Sequence, residues 1–310
     1  MKYVVTGGVG FIGSNLVDEL LRNNHQVIVV DNLESLESKR RLDSSELSHW
    51  NHNKNLKIIF DDVSIMQDYT LFEGANVMFH LAALPEVQLS IKNPMKYHDT
   101  NVTGTIKMLD ACIKSKIKRF IFSSSSAVYG DAKILPTNEE SSLYPKSPYA
   151  LHKIIGEKYC KLFEFHYGLE TFSLRYFNVY GKRQPMSGPY SLVIGKFINQ
   201  ILNDLPLTIN GDGEQRRDFV CVKDVIEANM ICSSIEHIKE NIFNIGSGIN
   251  YSINELADLL KHSYPRIKKP SVLEPYETLA DINKATKLIN WLPKTKFSTW
   301  INACKAELKI

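Results

Sequence analysis

The sequence predicts an α/β fold, with a doubly wound parallel sheet over residues 1–175 and a smaller α/β substrate lobe over 176–310. Two observations carry this. Short apolar runs of strand length alternate with stretches whose apolar residues recur at helical spacing, the rhythm of a parallel sheet covered on both faces. After about residue 175 that rhythm loosens, and glycines and prolines become frequent between positions 181 and 213. At 310 residues the chain can bury a large core, read here as one two-lobed unit in which some later elements return to the large sheet.

Taken in order, 3–6 is the first expected strand and 11–23 the first helix. Further strands are expected at 26–30, 56–60, 77–81 and 119–123. Helices are expected over 100–115 and 149–166, where apolar residues share one face. The polar stretch 35–55 reads as a surface excursion. In the second lobe, Ser252 and Glu255 form a capping box opening a helix through Leu259 and Leu260. Asp281 is the expected cap of a later helix that stops before Trp291-Leu292-Pro293.

Composition narrows the function classes. Hydrophobic content of 44% with 23% charge suits a globular protein, and a net charge of +3 is too small and too evenly spread to argue for nucleic acid. Lys39-Arg40-Arg41 stands beside several acids and reads as a solvated face. Five cysteines, at 112, 160, 221, 232 and 304, lack CxxC spacing, so neither a zinc site nor a disulfide framework is expected. No metal and no membrane partner are expected, since no apolar run reaches spanning length. Structure is expected to begin at once, at Lys2 or Tyr3, so no signal peptide is expected and the expected location is cytoplasmic.

Ligands of open parallel sheets bind beyond the carboxyl ends of the strands. Gly7, Asp31, Asp62, Ala82 and Ser125 each follow an expected strand and so share one crevice. Between the first strand and helix, Gly7, Gly10 and Gly13 give the pattern GxxGxxG. The first glycine permits a tight turn, the second lets backbone approach a pyrophosphate, and the third lets helix pack closely on strand. The helix start then offers free N–H groups to phosphate. Asp31 ends the next strand where a ribose-binding acid belongs. Together these indicate a Rossmann-type dinucleotide site. A carboxylate at 31 accepts ribose hydroxyls and repels a 2′-phosphate, and its neighbours Asn32 and Leu33 supply no cation, so NAD is expected over NADP.

Tyr149 and Lys153 form a second constellation. At i and i+4 of one helix, a phenol and an ammonium can converge. General-base work by tyrosine near neutral pH requires lowering its pKa by about 3 pH units, roughly 4 kcal/mol. A lysine ammonium and the positive ring of NAD in a dry cleft could supply this. Finally, Ser123 to Ser126 follow the oily run Phe120-Ile121-Phe122. Either they satisfy a strand end, or one of them is aimed at a substrate.

These motifs occur in a familiar order: the glycine triplet, Asp31, Asp62-Val63, His80 to Ala83, Asn93-Pro94, Asn101 to Thr105, Ser123 to Gly130, Tyr149-x-x-x-Lys153, Leu174 to Gly181, Arg217-Asp-Phe219 and Leu279-Ala-Asp281. Over nearly its whole length the chain resembles the extended short-chain dehydrogenase/reductases, and among them the nucleotide-sugar 4-epimerases acting on UDP-glucose or UDP-N-acetylglucosamine. The resemblance implies Ser125, Tyr149 and Lys153 as the catalytic set, with Ser125 on the reacting sugar hydroxyl. It adds Phe11, Ile12, Asn32, Val63 and Leu81 to the residues around NAD, together with Ala82, Ala83, Asn101 and Tyr176. For a UDP-sugar it implies Ser125 and Ser126 at the sugar and Asn178 and Arg217 at the diphosphate. Leu192 and Phe219 lie near the base, and Thr278 walls the C2 pocket, where its small size suits a 2-acetamido group. It also implies a homodimer through the helices at 100–115 and 149–166.

Related sugar dehydratases and decarboxylases carry a carboxylate just after the active hydroxyl, where this chain has Ser126 and Ala127. A 4-ketoreductase needs only tyrosine, lysine and reduced cofactor and stays open, as does a dinucleotide-binding module without catalysis. Two departures stand out. Where relatives carry Arg-x-Gly-Asp, this chain has Ser271 to Glu274, so Glu274 can replace the acid but the arginine is missing; Arg266, Lys268 or Lys269 could stand in if the loop shifts. Glu86 occupies a position near the substrate that is usually small.

Overall fold

The alternating pattern folds into twelve strands and eleven helices among the described residues of the computed structural model, which are 1–310 other than 189, 190, 237 and 273. The strands are β1 (Lys2–Thr6), β2 (Gln26–Val30), β3 (Leu56–Ile59), β4 (Val77–His80), β5 (Arg119–Ser125) and β6 (Glu170–Tyr176). They continue with β7 (Asn178–Tyr180), β8 (Leu207–Asn210), β9 (Arg216–Cys221), β10 (Ile242–Ile245), β11 (Asn250–Ser252) and β12 (Arg266–Lys269). The helices begin with α1 (Phe11–Arg22), α2 (Leu36–Asp43), α3 (Val87–Lys92), α4 (Pro94–His98), α5 (Gly104–Lys114) and α6 (Pro148–Tyr167). They end with α7 (Val193–Leu202), α8 (Val222–Ser234), α9 (Ile253–Leu260), α10 (Asn283–Ile289) and α11 (Phe297–Leu308).

Seven strands form a parallel sheet in the order β10-β6-β5-β4-β1-β2-β3. The order reverses between β1 and β4, so successive connections leave in opposite directions and open a crevice at the carboxyl ends. Val4, Ile28, Met78 and Phe120 from this sheet pack with Met108 and Leu109 of α5 in one buried cluster. The chain divides into two units: a larger one of 1–128, 145–175 and 226–243, and a smaller one of 129–144, 176–225 and 244–310. In the smaller unit β9 pairs parallel with β7 and antiparallel with β11, while β12 runs parallel to β8. Phe197, Ile198, Leu256, Leu260 and Phe297 fill its core.

Several expectations change. The stretch 35–55 is not a mere excursion: it forms α2 and a 3₁₀ turn over Ser45–Trp50, with Arg41, Leu47 and Trp50 buried. Trp50 and His49 both reach Asp18 on α1, which ties the segment down. β5 runs two residues beyond Ser123, because the serine backbones stay in the sheet although their side chains are polar. Residues 99–103 form a π-helical turn before α5 begins. The capping box of Ser252 and Glu255 is present. The cap of α10 is Ile282, not Asp281; Asp281 instead accepts the N–H of Asn283 at 2.8 Å.

Candidate active site

The large unit is built around the carboxyl edge of its sheet. Gly7 follows β1, donates to the Val30 carbonyl at 2.8 Å, and has φ +67°, a conformation that favours glycine. A Cβ there would meet the Ala82 backbone at 2.7 Å, and one at Gly13 would meet the Gly7 carbonyl at 2.1 Å, so turn and helix close on each other only as glycines. Gly10 caps α1 without a side-chain bond, and no acid occupies the first turn, where Phe11 and Ile12 stand half-buried. Such a helix start leaves N–H groups directed at an anion.

Asp31, directly after β2, accepts the N–H of Val9 at 3.0 Å and that of Leu33 at 2.9 Å. Burial pushes its carboxyl above the usual range, against those bonds and the nearby Arg41 charge. Arg41 is a correction. Expected on a solvated face, it is buried and donates to the Val9 carbonyl at 2.6 Å, because α2 folds back onto the glycine turn. Asn32 donates to Asp62 at 2.8 Å. Burial works to raise the Asp62 carboxyl, but hydrogen bonds from Ser64 and Asn32 hold it below the usual range. Val63 packs where a Cβ on Gly104 would be, 2.8 Å away. Asn101 brackets the backbone after β4, accepting from the Leu84 N–H at 2.8 Å and donating to its carbonyl at 3.0 Å. Leu81 and Ala82 are anchored on Thr6, the Leu81 N–H donating to the Thr6 carbonyl and the Ala82 N–H to the Thr6 hydroxyl; Ala83, like both, is half-buried.

The structure brings the three candidate catalytic residues together within this unit. Ser125 ends β5 and is hydrogen-bonded to the Tyr149 hydroxyl. Its own Oγ accepts the N–H of Ala127 at 3.2 Å, and Ser126 opens the following turn. Tyr149 and Lys153 lie in the first turns of α6, which Ser147 caps. Burial pushes the Tyr149 phenol above its ordinary value, and the Ser125 bond only partly offsets this. The lowering expected of a base is therefore opposed by the protein's own burial of the ring. Lys153 Nζ donates to the Ser123 carbonyl at 2.7 Å and stands 5.7 Å from the Tyr149 ring centroid and 5.0 Å from that of Phe122. Burial lowers its pKa to about 8, while the Glu157 charge works the other way. Closeness of α6 to β5 depends on Gly156, where a Cβ would meet the Phe122 ring at 2.3 Å.

Sequence reasoning missed the supports. Glu157 pairs with Arg175 at 2.7 Å and accepts the Ser124 hydroxyl at 2.5 Å. Its place four residues after Lys153, on the same helix face, was the available signal. Ser90 accepts the Tyr149 N–H at 3.2 Å. His80 is held between the hydroxyls of Thr6 (2.8 Å) and Thr105 (3.0 Å), and burial lowers its pKa to about 3, with the Lys153 charge adding to the effect. It is a neutral spacer.

The smaller unit holds the remaining candidates. Tyr176 ends β6 and is buried. Asn178 donates to the Asp218 carbonyl at 3.2 Å and to Thr278 Oγ1 at 3.5 Å. Arg217 donates to the carbonyls of Arg216 (2.9 Å) and Tyr276 (3.2 Å) and pairs with Glu274 at 2.9 Å. Leu192, the residue before α7, is 48% exposed. Phe219 does not reach an open surface: it is 2% exposed and stacks on Phe297, because alternation on β9 turns it into the core. Arg266 is engaged with Asp258 and Asn254 and so does not replace the missing arginine. Asp218 was overlooked. It accepts N–H groups from Ser247, Gly248 and Ala280 and the Ser247 hydroxyl, tying three segments together.

Residues 3–246 match the NAD dependent epimerase/dehydratase family. The chain belongs to that family. Its members are NAD-dependent, and the glycine turn, the open start of α1 and Asp31 fit that cofactor here. This family member is 37% identical to the UDP-N-acetylglucosamine 4-epimerase of Methanobrevibacter ruminantium, solved with UDP-N-acetylmuramic acid; the match covers 97% of this chain and 95% of that one, with a TM-score of 0.88. It is 32% identical to the UDP-glucuronic acid 4-epimerase of Bacillus cereus in complex with UDP-glucuronic acid and NAD, covering 100% and 99% with a TM-score of 0.88. A UDP-N-acetyl-α-D-glucosaminuronate decarboxylase of Bacillus cytotoxicus is 36% identical over 86% of this chain and 82% of its own length. No helix among the described residues is long and apolar enough to cross a membrane.

Proposed function

We propose that this protein is a NAD-dependent UDP-sugar 4-epimerase, interconverting C4 epimers of a UDP-hexose or UDP-N-acetylhexosamine through a 4-keto sugar. The observation that carries the reading is the Ser125–Tyr149–Lys153 cluster with Ser126 and Ala127, not a carboxylate, following the active hydroxyl. Dehydration and decarboxylation on this scaffold use a local acid or base, and lacking one costs typically 10²–10⁴-fold in rate.

Bound NAD supplies the hydride acceptor and donor for C4. Tyr149 takes the proton of the 4-hydroxyl, directly or through Ser125, to which it is hydrogen-bonded. The Lys153 charge beneath the ring favours the phenolate against the burial that disfavours it. Ser123, Ser124 and Glu157 hold Lys153 of α6 in register with β5, so the proton moves along a fixed line.

In this reading Arg217 and Asn178 take the diphosphate, Leu192 borders the base, and Ser126 and Thr278 border the sugar. Thr278 is small, and its hydroxyl is already engaged by Asn178 and the Asp218 N–H, which suits a C2 acetamido group beside it. Tyr176, Asn101 and the residues from Leu81 to Ala83 serve the cofactor. The larger unit is the cofactor-binding domain and the smaller one grips the nucleotide.

Purified protein given UDP-N-acetylglucosamine and UDP-glucose is expected to produce both C4 epimers by NMR. Tyr149→Phe should lower turnover by about 10³-fold or more, the scale of a lost acid–base group with its partners intact. A 4-keto-6-deoxy or decarboxylated product would overturn the reading. The protein acts as a homodimer through α5 and α6, where Leu151, Leu162 and Phe165 of α6 are exposed; a monomeric mass by light scattering would refute this. Five cysteines that remain thiols, four of them buried, support a cytoplasmic setting, to be checked by fractionation.

A further inference from the structure

One carboxylate, Glu86, stands four residues before Ser90, which accepts the Tyr149 backbone N–H, and has no part in the chemistry described above. We propose that Glu86 sets the charge of the sugar: it excludes substrates with a carboxylate at C6 and restricts the enzyme to neutral UDP-sugars. This rests on the epimerase reading.

The placement follows from the large unit alone. β4 and β5 are adjacent and parallel, with His80 opposite Phe122, so the segments leaving their carboxyl ends are neighbours. One of these segments carries Ser125; the other runs through Leu84 to Glu86. Asn101 pins that second segment at Leu84 by both backbone groups, two residues before Glu86. On its other side Glu86 caps α3 by accepting the Leu89 N–H. One turn further along, Ser90 donates to the Val87 carbonyl at 2.6 Å and accepts the Tyr149 N–H at 3.2 Å. Residues four apart on a helix are neighbours at about 6 Å. Glu86 is thus held one helical turn from the residue bonded to the catalytic tyrosine, and it cannot withdraw without uncapping α3.

No cation in this set of contacts answers that charge, among the described residues. Lys153 lies beneath the Tyr149 ring, spends a hydrogen bond on the Ser123 carbonyl, and already faces Glu157. A C6 carboxylate placed beside Glu86 would meet it as a like charge without compensation. A C6 hydroxyl can instead donate to the Glu86 oxygen left free by the cap. The proposal separates this chain from relatives that act on UDP-glucuronic acid, with which it shares the fold.

The test compares matched pairs: UDP-glucose against UDP-glucuronate, and UDP-N-acetylglucosamine against its C6 acid, reading kcat/KM by NMR. The wild type should favour the neutral member of the productive pair by about tenfold or more, the order expected for one uncompensated like charge. Glu86→Gln, which keeps a capping oxygen, should cut that ratio about tenfold, and Glu86→Asp should keep it. Ser90→Ala loosens α3 without touching the charge and should slow both members alike. Equal use of acid and neutral sugar by the wild type, or a ratio unmoved in Glu86→Gln or moved equally by Ser90→Ala, would overturn the proposal and leave the epimerase intact. Absence of turnover with all four substrates would remove the epimerase reading and this inference with it.

Discussion

Two arginine–glutamate pairs occupy the two units and teach opposite lessons. In the larger unit Arg175 and Glu157 meet at 2.7 Å with side chains 3% exposed each, and Glu157 also receives the Ser124 hydroxyl. In the smaller unit Arg217 and Glu274 meet at 2.9 Å, but the glutamate is 47% exposed. The chemistry is the same and the solvent is not. The dry pair is tied to β5 through Ser124, next to the Ser123 carbonyl that receives Lys153; the wet one can open, as the diphosphate role proposed for Arg217 requires. Breaking a buried pair strands a charge, whereas an exposed pair exchanges with water at little cost.

The sharpest way to break this contrast is Glu157→Ala. It leaves Arg175 charged and buried, and is expected to lower stability by about 3–5 kcal/mol in denaturant titrations. A loss no larger than that at Glu274 would remove the distinction.

Next in size is a pH effect of the same buried network. Lys153 falls from an ordinary 10.5 to about 8 through burial, against the pull of Glu157. Below about pH 8 both folded and unfolded chains carry the proton. Between about 8 and 10.5 only the unfolded chain does, so stability contributed by this group rises with pH across that window. Lys153→Met should abolish the rise, and the difference between variant and wild-type melting temperatures should change steadily from pH 8 to 10. The smallest effect belongs to Glu274→Ala, expected to cost under about 1 kcal/mol and to fade in high salt. A larger, salt-insensitive loss would mean that the pair is structural.

Much of the large unit was legible because its rules are local. Strand runs, the glycine turn and the i, i+4 pair of Tyr149 and Lys153 are short-range patterns, and Ser125 needed only the family order to be singled out. What escaped depends on distant partners. Nothing near Arg41 in sequence says that its guanidinium will reach Val9, 32 residues away. Phe219 looked like a ligand residue, yet strand alternation beside Phe297 turned it inward. Ser123 and Ser124 looked like a strand end, because oily runs mark strands by side chain; their backbones remain in the sheet. Asp218 was hidden between two more conspicuous neighbours, although four hydrogen bonds converge on it.

The π-helical turn over Asp99–Thr103 has an evolutionary corollary. A wide turn accommodates one residue more than a regular helix of the same rise, and such surplus residues commonly persist where a side chain must be re-aimed. Here the re-aimed side chain is Asn101, which grips Leu84 and with it the loop that bears Glu86. Removing one position from this turn would leave a perfectly good helix whose downstream face had rotated by about 100°. Exchanging residues in the Glu86 loop therefore leaves the grip of Asn101 on Leu84 in place, whereas deleting a position from this turn would release it.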